Sequence, residues 1–181
     1  MESDMRRRFS IFWAFCVRLV TELLPDGAVT ERLRGVLYGF CMKKRGKNFR
    51  VASGVRISGL NNLTVGRDVF IGCDTTILAS TDVLLEDEVM LGHKVMIVTG
   101  NHTLKDGSYR YGAFNRAPVV VRKGSWVGAL CTLLPGVTVG RGTAVGANSV
   151  VTKDVPDDCV AAGVPARVIK YTRECGPQNE E

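Results

Sequence analysis

The chain has 181 residues, 45% of them hydrophobic, with 20 glycines and a net charge of +6. That length suits one domain with a substantial core, and its six cysteines show no close pairing, which argues against a disulfide framework and for a reducing, cytoplasmic setting. Residues 1–50 hold 11 Lys/Arg against 5 Asp/Glu while residues 51–181 hold 13 of each, so the whole basic excess precedes the body of the chain and favours an anionic partner.

At the start, Arg6-Arg7-Arg8 precede FSIFWAFCVRLVTELL, a run broken by Arg18 and Glu22 and stopped by Pro25. It is too short and too interrupted for a transmembrane helix, which needs ~20 predominantly apolar residues. Two readings stand. The segment is an amphipathic helix packed on the domain or on a neighbouring subunit. Alternatively it is an interfacial helix, giving peripheral membrane association through residues 5–24 with Phe12, Trp13 and Phe15 in the lipid boundary. A second helix is predicted over Thr30–Met42, with Thr30 as its cap. KKRGKNFR reads as a basic linker, with no nucleic-acid partner expected, and residues 1–47 form a basic, amphipathic helical segment.

From residue 48 to 170 the chain is organised in sixes. Val51 and Ile57 lead two units; a two-residue offset moves the phase to Val65, Ile71 and Ile77, and a second moves it to Leu85, Leu91 and Ile97. Val121, Val127, Leu133, Val139, Val145 and Val151 lead the rest, and their fifth members are small or branched: Ser125, Cys131, Val137, Thr143, Ser149 and Val155. A six-residue aliphatic period marks a parallel β-helix, because an α-helix needs apolar residues three and four apart. Fourteen such units, three to a coil, predict four to five coils, with Gly, Asn and Asp supplying the turn angles.

Between Ile97 and Val121 the pattern fails over TGNHTLKDGSYRYGAFNRAP, then resumes in register. Residues 98–118 are therefore read as an excursion loop, and loops on a rigid scaffold are where function concentrates. After Val155, Pro156 is expected to end the pairing, Ala161–Pro165 to make a final strand and turn, and residues 171–181 to be a disordered tail.

The chain has two histidines. His102 stands in the excursion, where an imidazole beside a repeat wall suits proton transfer near neutral pH. His93 lies at a turn of the repeat unit LGHKVM and reads as structural or solvent-facing. Three histidine ligands for a catalytic zinc cannot be assembled while keeping a base, so no metal is expected.

The repeats, the excursion with GNH, SVVTKDVP and AAGVPARVI together resemble the hexapeptide-repeat O-acetyltransferases. Within that superfamily the chain is similar to the galactoside, maltose and xenobiotic acetyltransferases and to those acting on capsule or O-antigen sugars. The resemblance covers about residues 50–170. It implies an all-β fold, a left-handed parallel β-helix with an N-terminal helical segment and one excursion loop. It also implies a homotrimer, with acetyl-CoA in the groove between subunits. His102 becomes the general base that activates a sugar hydroxyl. Ala129 and Ala147 match turns whose backbones bond the pantetheine arm, Thr152 and Lys153 the pair near the CoA phosphates, and Arg167 the basic residue near the adenosine 3′-phosphate. Trp126 matches an aromatic that walls the acyl end.

On the acceptor side the resemblance is looser. The family's Asn and Asp are replaced by Gly72-Cys73-Asp74 and Ala79-Ser80-Thr81-Asp82, leaving Asp74 and Asp82 as candidates to hold sugar hydroxyls. Tyr109, Arg110, Tyr111 and Arg116, within the excursion, are read as bordering the acceptor, and the arginines suit an acidic sugar or a diphosphate. The basic, aromatic-rich N-terminus favours a polymer or lipid-linked glycan acceptor at the inner membrane face, hence O-acetylation in surface-polysaccharide biosynthesis. The alternative is acetylation of a small sugar, an antibiotic or a sugar-nucleotide amine.

Overall fold

The computed structural model describes residues 2–172, without the side chains of residues 2–4 and 7. The predicted tail therefore lies outside the described residues from 173 onward; Tyr171 still belongs to the last strand.

The six-residue period builds the left-handed parallel β-helix that the resemblance implies. Its first sheet stacks Lys44–Arg45, Leu63–Val65, Val83–Leu85, Val119–Val121 and Thr138–Val139. The second stacks Arg50–Val51, Phe70–Ile71, Met90–Leu91, Trp126–Val127, Ala144–Val145 and Cys159–Gly163. The third stacks Arg56–Ser58, Thr76–Leu78, Met96–Val98, Thr132–Leu133 and Val150–Val151. All fourteen leading aliphatics point inward and are at most 5% exposed, each contributing ~1.5–3 kcal/mol by burial. The fifth-position column is buried beside them, and its polar members are satisfied: the Ser125 hydroxyl donates to the Gly140 carbonyl at 2.5 Å and that of Ser149 to Gly146 at 2.6 Å.

Five coils are complete and a sixth is begun, more than the aliphatic leads alone indicated. The extra strand at the start is Lys44–Arg45, where Arg45 occupies the position paired with Val65. An arginine in a leading position is invisible to an aliphatic period, so this stretch looked like linker. At the far end Pro156 does not stop the pairing. Val155 bridges to Val139, Cys159–Gly163 joins the second sheet, and Ala166–Tyr171 folds back antiparallel upon it.

Both two-residue offsets and the excursion leave the coil at the same corner, between the third sheet and the first. The surplus residues stack there. Leu60, Ala79 and Thr99 are buried, the Asn62 amide donates to the Ala79 carbonyl at 2.8 Å, and the Thr99 hydroxyl donates to that of Leu78 at 3.1 Å. The other two corners are tight turns with one left-handed residue per coil. One column runs Asn48, Asp68, Glu88, Gly124, Gly142 and Asp158; the other runs Gly54, Asp74, Lys94, Leu130 and Asn148. Asn and Asp tolerate this region, whereas Glu88, Lys94 and Leu130 are held in it by the coils on either side.

Helix α1 (Glu2–Thr21) packs on Arg56–Ser58 and Leu60–Asn62, and α2 (Ala28–Gly39) packs on Arg50–Val51. α2 begins earlier than predicted. Gly27 is its cap, and Thr30 lies within the first turn with its hydroxyl donating to the carbonyls of Pro25 and Gly27. α1 turns Ser10, Ala14, Val17 and Thr21 inward. Trp13 does not face outward with Phe12 and Phe15; its indole N–H donates to the Leu37 carbonyl at 2.7 Å. No helix among the described residues is long and apolar enough to cross a membrane.

The loop between the helices is stapled to the coil. Arg34 is buried, and its guanidinium donates to the carbonyls of Thr21 (3.1 Å) and Leu24 (2.6 Å) and to Asp26 Oδ1 at 2.6 Å. Asp26 also accepts from the Ser53 N–H (2.8 Å), the Ser53 hydroxyl (2.7 Å) and the Cys73 thiol (3.3 Å). Burial pushes the Asp26 carboxyl up, but the hydrogen bonds from Ser53, Cys73 and Arg34 outweigh it and hold the group below the ordinary carboxylate value. A carboxyl lowered on folding stabilises the native state above its unfolded pKa of ~3.9 and loses that contribution as pH falls through the folded value.

Two outcomes are expected in urea denaturation. Asp26→Asn is less stable than wild type at neutral pH, and the gap narrows as pH falls below ~4; a gap independent of pH would refute the staple. Leu91→Ala, deleting one rung of an inward column, costs about 2–5 kcal/mol, and a loss within error of zero would contradict the stacked core.

Candidate active site

The excursion is a hairpin whose strands, Gly100–His102 and Phe114–Arg116, pair antiparallel with His102 opposite Phe114. The two rings meet edge to face with centroids 5.0 Å apart, and the Arg116 guanidinium lies 5.1 Å from the centroid of the same Phe114 ring. Gly100 permits this arrangement, since a Cβ there would collide with the Phe114 ring. His102 itself is exposed. It lines an open groove of about 640 Å³ with Tyr109, Arg110 and Tyr111. The groove joins a proton acceptor, two phenol rings and a guanidinium, a set suited to a polar, hydroxyl-bearing or anionic molecule. Phe114 was missed from the sequence. The residue carries no signal of its own, and only the hairpin register puts it against His102.

The remaining candidates fall on two corners of the coil. Ala129 and Ala147 stack at the corner between the second and third sheets, linked by the Asn148 N–H donating to the Ala129 carbonyl at 2.9 Å. One coil further on, Arg167 pairs with Ala162, and its guanidinium donates to the Ala166 carbonyl. These residues form a ladder of small side chains and backbone groups that ends at a cation. Trp126 is half exposed on the second sheet, between Met90 and Ala144. Thr152 and Lys153 are exposed at the other corner, the one from which the hairpin departs two coils earlier. Within one chain the third sheet separates the ladder from the hairpin's corner.

Asp74 and Asp82 do not line the His102 groove. Asp74 occupies the left-handed turn position of its coil, packed over Gly54. The Asp82 carboxylate accepts from Lys43 Nζ with both oxygens at 3.0 Å. His93 is exposed on the ladder's corner, with Nδ1 accepting the Cys73 N–H at 3.0 Å.

The family described as bacterial transferase hexapeptide (six repeats) matches residues 118–153. The galactoside O-acetyltransferase of Escherichia coli (strain K12) is 41% identical over 73 residues, 40% of this chain and 36% of that protein. WbbJ of the same organism, named as a lipopolysaccharide biosynthesis O-acetyl transferase, is 33% identical over 141 residues, 70% of this chain and 60% of its own length. This chain thus spans about a third to three-fifths of these curated relatives. Among solved structures, a maltose O-acetyltransferase from Clostridium difficile 630 superposes with a TM-score of 0.81 at 30% identity, covering 94% of this chain and 88% of the other. A galactoside acetyltransferase in complex with coenzyme A gives 0.80 at 26% identity, covering 92% and 82%.

Proposed function

This chain belongs to the hexapeptide-repeat O-acetyltransferases, and from that premise we propose that it moves an acetyl group from acetyl-CoA to a sugar hydroxyl. The observation that carries the reading is the placement of His102, exposed on a hairpin beside a groove with Tyr109, Arg110 and Tyr111. His102 takes the hydroxyl proton as the oxygen attacks the thioester carbonyl, and a backbone N–H stabilises the oxyanion that forms. The C–O bond closes, the C–S bond breaks, and the imidazolium returns the proton to the departing CoA thiolate. No acyl-enzyme is required, so the cysteines have no part in the transfer.

The ladder of Ala129 and Ala147 fits the pantetheine arm, because small side chains let an extended amide approach the backbone. Arg167 and Lys153 supply cations for phosphate oxygens, with Thr152 beside Lys153 and Trp126 walling the acyl end. Ladder and base occupy different corners, so a complete site requires two chains. That supports a homotrimer with each groove shared between neighbours. Tyr109, Arg110 and Arg116 are assigned to the acceptor; Asp74, turned over Gly54, and Asp82, held by Lys43, are not. The likeness to WbbJ over 70% of the chain supports surface-polysaccharide biosynthesis, with a polymer or lipid-linked glycan as acceptor. The described cysteines are all free, in keeping with a cytoplasmic enzyme.

Free thiol is expected from acetyl-CoA when an acceptor sugar is supplied, and His102→Ala should lower turnover by about 10²–10⁴; near-wild-type turnover would refute the base. Mixed oligomers test the shared groove. His102→Ala chains and Ala147→Trp chains are each expected to be inactive alone and to recover activity when co-expressed, because one groove then combines an intact base with an intact ladder. No recovery would place both halves in one chain.

A further inference from the structure

Among the described residues, 12 of the 23 exposed large hydrophobic side chains lie between Met5 and Phe40. Monomeric soluble proteins rarely leave so contiguous an apolar surface uncovered, and such a patch marks an interaction site. Helix α1 produces it by an inverted arrangement. Its small residues pack inward, and Met5, Phe9, Phe12 and Leu19, spaced by four, three and seven, face outward at 58–66% exposure, with Leu23 exposed just past the helix end. Helix α2 repeats the device. Glu31, Arg34, Gly35 and Tyr38 are buried, while Val29, Leu33, Val36 and Phe40 are 40–78% exposed along the opposite side.

The two stripes are joined. Trp13 donates to the Leu37 carbonyl and meets the Phe40 ring edge to face, with centroids 6.1 Å apart. Trp13, read from the sequence as lipid-facing, instead locks α1 to α2 at the seam. Charge identifies the occupant. Of the net excess of +6 within residues 1–50, residues 1–42 carry +1 (six Arg against five acids), and Lys43, Lys44, Arg45, Lys47 and Arg50 at the N-terminal end of the coil supply the other +5; Arg6 and Arg8 are exposed at the start of α1. Two of the five acids pair with arginines of the same stretch, Asp26 with Arg34 and Glu31 with Arg50, which leaves the net excess unchanged. Aromatic and aliphatic side chains on one surface, with arginines at its margin, match the acyl boundary and the headgroups of an anionic bilayer.

We propose that α1 and α2 together form one docking platform that seats the N-terminal end of the coil on an anionic membrane, α2 contributing as much as α1. The surface is separate from the His102 groove, so the proposal holds whether or not acetyl transfer is the reaction.

The test is flotation of the full-length protein with vesicles of three parts phosphatidylcholine to two parts phosphatidylglycerol, beside vesicles of phosphatidylcholine alone. Wild type is expected to float with the anionic vesicles and to be released by high salt, which screens surface charge. Phe9→Glu with Phe12→Glu in α1, and Leu33→Glu with Phe40→Glu in α2, should each reduce the floated fraction roughly tenfold. All these positions are solvent-facing, so circular dichroism and elution volume should match wild type; Phe40→Ser alone serves as a milder variant with a smaller loss. Wild-type flotation of both α2 variants would overturn the joint platform, and failure of wild type to float would overturn membrane docking. A larger assembly in solution that the glutamate variants dissolve, without vesicle binding, would assign the face to a second copy and equally overturn the proposal. Thiol release from acetyl-CoA in the same samples reports the catalytic reading independently.

Discussion

Each coil of this protein must place its inward side chains directly on those of the coil before it, because adjacent parallel strands lie only ~4.8 Å apart and the interior is filled to crystal-like density. Val51, Ile71, Leu91, Val127 and Val145 form one such column on the second sheet, paired residue to residue. A residue inserted within a strand would turn the next inward side chain outward. Insertions are therefore confined to corners, and here all three use the same one.

That confinement shapes the site. The first two insertions are short and stay packed, with Leu60 and Ala79 filling the corner. The third departs above this stack at buried Thr99, whose hydroxyl accepts the Thr81 N–H at 3.0 Å. The hairpin bearing His102 thus leaves from a corner already built in the coils before it, and Phe114 then orients the imidazole from the opposite strand. The two tight corners cannot carry such a loop, since each coil has one left-handed residue bonded to the coil before it. At the corner between the second and third sheets, Ala129 and Ala147 present small side chains and backbone, joined by the Asn148 N–H on the Ala129 carbonyl. His102 and the alanine ladder occupy different corners because the demands of stacking differ between corners.

The N-terminal helices meet a different requirement. A parallel coil exposes its first rung, and α1 and α2 cover it with small residues, with Tyr38 donating to the Val55 carbonyl at 3.0 Å, and with buried Arg34 paired to the more exposed Asp26. Breaking such a pair by removing one partner is costly because it strands a buried charge. Since the inward faces of both helices are small or polar, their large apolar residues are left outside.

The coil was legible in spacing alone. Six-residue recurrence of Val, Ile and Leu, its two offsets and its one interruption located most of the strands and the excursion, while the shared corner and the hairpin pairing emerged from the fold. Such information is local and repeats often enough to be read without coordinates. The same method failed where a rung carries no aliphatic, as at Arg45, and where Pro156 looked like a stop although its neighbour Val155 bridges onward. His102 was legible because a lone histidine interrupted a regular pattern. Packing across the chain set the rest: Phe114 against His102 through hairpin register, Asp82 withdrawn to Lys43, Trp13 turned to α2, and the candidate ladder at another corner. These depend on which residues the winding brings together across 12 to 39 positions of chain, and one-dimensional spacing holds no record of such distances.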